Sequence, residues 1–158
     1  MFFSPVRPHL LLAGFAALVV SASALAQAQF AKAPEPKAHA MPGASVAATD
    51  VVYRKEAAKH LYNVYPQQIH KGKLPPMLVG VAIINTTIDA SGQVVAVDVM
   101  RPPAMKEISP WIEGMIRAAA PYPAPAKLGQ TVTWREIFLV DSSGKFQVDA
   151  LTEGQRSK

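Results

Sequence analysis

From Val79 to Asp89 the chain is dominated by Val, Ile and Thr, and the run from Val94 to Met100 is nearly as rich. Between them lies the short Gly-bearing turn Asp89-Ala90-Ser91-Gly92-Gln93, so the pattern predicts an antiparallel hairpin. In the second run Val95, Val97 and Val99 share one face and Ala96 and Asp98 the other, the alternation of a sheet covered on one side. A third strand is predicted over Thr131 to Val140. Val132, Trp134, Glu136, Phe138 and Val140 share one of its faces, and Thr131, Thr133, Arg135, Ile137 and Leu139 the other. Trp134 and Phe138 are expected in the core. Asp141-Ser142-Ser143-Gly144 then echoes the first turn and leads to a short strand through Phe146 and Val148.

A helical period appears twice. Val51, Ala58, Leu61 and Tyr62 form one stripe of a helix from about Val51 to Tyr62, with Asp50 as its cap and Arg54, Lys55 and Lys59 facing water. It ends before Tyr65-Pro66, because proline holds its predecessor in extended geometry. The second helix carries Ile108, Trp111, Ile112, Met115 and Ala119 toward the sheet, opens at Ser109-Pro110 and stops at Pro121-Tyr122-Pro123-Ala124-Pro125. The order helix, hairpin, helix, strand predicts an α+β fold of two layers: a small antiparallel sheet of three to four strands with two helices on one face. It occupies residues 50–150, and residues 151–158 read as a disordered tail.

Ahead of the domain the pattern changes. Arg7 precedes an apolar run from Leu10 to Val20, and Ala24-Leu25-Ala26 follows, the order of a signal peptide cleaved after Ala26. Residues 1–26 are read this way, with Ala26-Gln27-Ala28 as a second cleavage sequence. The alternative is an uncleaved inner-membrane anchor facing the periplasm. The apolar run is short of the roughly 20 residues that a spanning helix needs, which favours cleavage and a periplasmic location. Residues 27–49, rich in Ala, Pro, Gln and Lys, read as a flexible tether.

Charge and chemistry narrow the function by exclusion. The net charge of +5 comes from 16 Lys and Arg against 11 Asp and Glu scattered along the chain. That scatter lacks the clustering of a nucleic-acid groove. The absence of cysteine removes disulfides, thiolate metal sites and Cys nucleophiles. His39, His60 and His70 are spread over tether, helix and loop without metal-ligand spacing, so no metal and no cofactor is expected. Ser142-Ser143-Gly144-Lys145 matches S-x-x-K only literally, since that motif needs its serine at a helix start. A binding module is expected rather than an enzyme, the further alternative being a periplasmic hydrolase, which needs a cleft of convergent polar groups.

Four features in order resemble the TonB C-terminal domain family across roughly Val52 to Val148. They are Tyr65-Pro66, Gly80 followed by Ile88-Asp89-Ala90-Ser91-Gly92-Gln93-Val94, the helix running into Ala120-Pro121-Tyr122-Pro123-Ala124-Pro125, and the strand Val132 to Val140. TolA C-terminal domains share a similar fold. The resemblance implies a periplasmic domain of Gram-negative bacteria that grips an extended segment of an envelope protein, such as a TonB-dependent outer-membrane transporter, by adding it as a strand. The strand Thr131 to Val140 is then the candidate edge, with Thr131, Thr133, Arg135, Ile137 and Leu139 as its binding residues and Tyr65 and Pro66 as family-motif contacts. Dimerisation by strand exchange is left open. With an uncleaved anchor the resemblance implies instead an inner-membrane energy transducer for outer-membrane transport, but Ser4 and His9 do not fit the Ser-x-x-x-His pattern of the family's anchor.

Overall fold

A computed structural model describes residues 28–157. Residues 1–26, read above as a signal peptide with Ala24 and Ala26 at its cleavage site, lie outside the described residues. The domain elements run α1 (Asp50–Val64), β1 (Gly80–Asp89), β2 (Val94–Arg101), α2 (Ile108–Ala118), β3 (Thr131–Val140), β4 (Phe146–Val148) and a 3-10 turn (Asp149–Leu151). The four strands form one antiparallel sheet in the order β2-β1-β3-β4. Even-numbered positions of β1 and β3 are buried with the inner faces of both helices in a single cluster that includes Ile84, Trp134, Phe138, Leu61 and Ile112. The fold is therefore the two-layer α+β arrangement expected from the pattern.

Local chemistry explains the boundaries, with three differences from expectation. Thr49, not Asp50, caps α1, its hydroxyl accepting from Val52 N–H at 3.4 Å. The helix therefore starts at Asp50, which turns Val51 into solvent and gives its place in the buried stripe to Tyr53. Helix α2 starts before Ser109-Pro110, at Ile108, with Glu107 at the cap position and no side-chain cap bond. Pro110 then sits in the first turn, where a missing N–H breaks no helical bond. In β2 the extra residue Val95 at a bulge opposite Thr87/Ile88 takes it out of the Val97 and Val99 face.

The chain repeats one unit: helix, strand, turn, strand. Asp89 Oδ1 accepts from Ser91 N–H, the Ser91 hydroxyl and Gln93 N–H, and Asp141 Oδ1 accepts from Ser143 N–H, the Ser143 hydroxyl and Lys145 N–H. Gly92 and Gly144 close these turns at φ +86° and +76°. The units differ at their last strand. β2 accompanies β1 from Ile88 to Ile83, whereas β4 pairs only with Phe138 to Val140 before Asp149 turns away into the 3-10 helix.

The segment expected as a free tether lies along the domain. Phe30 is buried edge-on against Trp111, ring centroids 5.3 Å apart, and Gln29 donates to Ser142 O. Lys37 N–H donates to Val64 O and Ser45 N–H to Ala124 O, and Ala47 is buried. Composition concealed this because one aromatic and a few backbone bonds do the anchoring. The tail is likewise engaged: Leu74 N–H donates to Gly154 O, and Arg156 N–H to Leu74 O.

Candidate functional site

Backbone direction decides which parts of β3 can receive a partner. Val79 N–H donates to Val140 O, so Val140 faces β1; the unbroken β1–β3 register then points even positions to β1 and odd positions outward. Outward, Leu139 is opposite Gln147 of β4, and Asp141 N–H reaches Lys145 O. Ile137 N–H is taken at 3.0 Å by the carboxylate of its neighbour Glu136. Beyond that point the outward amides and carbonyls of Arg135, Thr133 and Thr131 have no hydrogen-bond partner among the described residues. All three side chains are exposed on the uncovered face.

The stop at Glu136 is built. Its side chain is 1% exposed, on the inner face among apolar neighbours, and Arg54 of α1 reaches it at 2.6 Å. The same guanidinium binds Asp149 at 2.8 Å, and Ala150 N–H donates to Glu136. The Glu136 hydrogen bond raises the Arg54 pKa, burial works against it, and Asp149 adds to the rise. This cluster seals the edge where β4 departs. α1 runs beside β3 in the same sense, since Arg54 meets Glu136 while Tyr62 meets Val148, which is level with Phe138. Val51, one turn before Arg54 and 70% exposed, therefore stands toward the open stretch.

The opposite sheet edge, β2, differs. Two irregularities interrupt its pairing, leaving Val95 and Met100 as extra residues, and Asp98 and Arg101 are exposed. Bulges and charges of this kind discourage strand addition. The outer side of β4 is also occupied, because Phe146 N–H donates to Gln68 O and His70 N–H to Phe146 O.

The expected site residues are thus divided. Thr131, Thr133 and Arg135 share the open stretch, with Arg135 Nε bonded to Asn85 Oδ1 at 2.8 Å. Leu139 and Ile137 are corrected: the first is already paired and the second has its amide capped. Tyr65 is corrected as a contact. It is 1% exposed, its hydroxyl donates to Met115 O, and burial pushes its pKa up to about 12. Pro66 beside it is exposed but lies in the α1–β1 connection.

Sequence reading missed the Arg54, Glu136 and Asp149 cluster, although an acid on the apolar face of a strand is a legible signal. Nor does the turn pattern around Asp141 reveal that this carboxylate has a second partner. The carboxylate in addition holds His70 Nδ1 at 2.5 Å; burial pushes its pKa up, but the bonds from Ser143 and His70 prevail and leave it below the ordinary value. No local spacing announces that pair, whose members are 71 residues apart. No metal-binding group of three His, Cys, Asp or Glu exists among the described residues. No family model, curated protein or solved structure significantly matches the chain.

Proposed function

We propose that this domain is a periplasmic protein-binding module of the TonB C-terminal type, which takes an extended segment of an envelope protein as an added strand on β3. The observation that carries the reading is the vacancy left by the early departure of β4. Three outward-facing residues, Thr131, Thr133 and Arg135, offer backbone donors and acceptors at an edge without bulges, beside an inner layer that is already packed. Backbone pairing supplies affinity there, and the neighbouring side chains supply selection. The resemblance of Tyr65-Pro66, the hairpin and the proline-rich exit of α2 to the TonB family supplies the cellular setting, and an outer-membrane transporter is the partner it suggests.

Thr133→Pro is the direct test. Its N–H points away from β1, so proline removes a donor from the open edge without removing a bond from the sheet. With heptapeptides selected by display against the wild-type domain, amide shifts are expected to concentrate at Thr131, Thr133 and Arg135. The variant is expected to keep its far-ultraviolet circular dichroism and lose the peptide. Peptide binding that survives the proline unchanged would overturn the reading.

A further inference from the structure

A cleft of about 330 Å³ lies between the N-terminal segment and α1, on the other side of the helix from the Arg54 contact with β3. Its floor is one helical stripe, Glu56, Lys59, His60 and Asn63, at the i, i+3, i+4, i+7 spacing that stacks side chains on a single face. Val46 and Pro123 contribute apolar walls. The floor therefore sets an acid, an amine, an imidazole and an amide against an apolar surround, in a volume at the lower end of that of small-molecule sites.

The groups have fixed roles. His60 Nε2 lies 2.8 Å from Ala119 O, which makes that nitrogen the donor and leaves Nδ1 as a lone-pair acceptor in the neutral ring. Burial lowers the His60 pKa, the bond to Ala119 O works the other way, and the charge of His39 lowers it again, so the ring is neutral near pH 7. Among the described residues His60 Nδ1 has no hydrogen-bond partner, and His60 itself lines the cleft. Glu56 Oε2 is held by the Ser45 hydroxyl at 2.5 Å, which leaves Oε1 as a second acceptor. Lys59 and Asn63 are exposed and available as donors.

The geometry points to a binding site for a small zwitterion of the α-amino-acid class with an apolar side chain. Its ammonium group is received by Glu56 and His60 Nδ1, its carboxylate by Lys59 and Asn63, and its side chain by Val46 and Pro123. The acceptors Glu56 and His60 and the donors Lys59 and Asn63 form two i, i+4 rows side by side on the stripe, which matches the adjacent charges of an α-amino acid and not the single charge of a fatty acid or an amine. Ligand at this position touches both the N-terminal segment and α1, and so ties them together. The site is independent of the β3 edge.

L-leucine is the probe, titrated into the protein while backbone amide shifts are followed. Shifts are expected at Lys59, His60 and Asn63, with saturation in the millimolar range typical of a ligand this small. Lys59→Ala, a surface change, should weaken binding about fivefold, as should replacing leucine by leucinamide or by 4-methylpentanoate, which each lack one of the two charges. Leucine without effect on these amides at about 20 mM overturns the site. Leucinamide or 4-methylpentanoate binding as tightly as leucine overturns the zwitterion assignment.

Discussion

At the scale of single residues, burial decides chemistry more than residue type does. His60 has the most consequential setting: 8% exposed, edge to face with His39 at 5.2 Å and tilted against Tyr122 at 4.9 Å. Because its folded pKa is lowered, the folded state prefers the neutral ring. The associated stability is complete above the unfolded histidine value, about 6.5, and is lost as pH falls below it. Thermal denaturation from pH 7.5 to 5 is therefore expected to show a falling midpoint, and His60→Asn to flatten that slope. A slope unchanged in the variant would assign the acid sensitivity elsewhere. Glu136 teaches the same lesson from the opposite side: it was legible as a position on the inner face of β3, but its partners Arg54 and Asp149 come from other elements.

At the scale of elements, β-rich runs between Gly-bearing turns were legible because period-two alternation reflects a sheet with one covered face. β3 has the bounds that its pattern suggests, and β1 differs by one residue at its start. What was not legible is where a strand stops pairing, since β4 ends through the turn at Asp149 and not through any break in hydrophobicity. The turns are more tightly specified than strands. At Gly92 a Cβ would lie 2.1 Å from Tyr122 O, and the same glycine's carbonyl accepts from Tyr122 N–H at 2.8 Å. The β1–β2 turn thereby fixes the chain leaving α2. Gly92→Ala combines a positive φ with a backbone collision, and a loss of at least about 2 kcal/mol is expected in urea denaturation. Gly129→Ala is the control, since its φ of +100° also strains a side chain but nothing lies within 4 Å of the added carbon.

At the scale of the whole molecule, two helix-hairpin units share one core, and the N-terminal segment is laid over it as a strap. The strap was read as a tether because Ala, Pro and Lys dominate it, and composition does not register a single well-placed aromatic. Phe30 beside Trp111 and Ala33 beside Gly114 hold its first part. Phe30→Ala is expected to free the strap without unfolding the sheet, raising proteolytic cleavage within residues 31–47 while the main thermal transition moves little. Cleavage that stays as slow as in the wild type would mean that the later contacts suffice.

The strap also sets how the domain responds to tension. A pull applied upstream of Gln29 meets the Gln29–Ser142 bond and the Phe30–Trp111 contact first, then the separate bonds at Lys37 and Ser45, one after another and not in parallel. Such an attachment peels at low force. From Phe30 to Ala47 it would let out about 60 Å of chain before the load reached α1 and the sheet behind it. The domain thus carries its own slack, stowed against its surface and drawn on only under load.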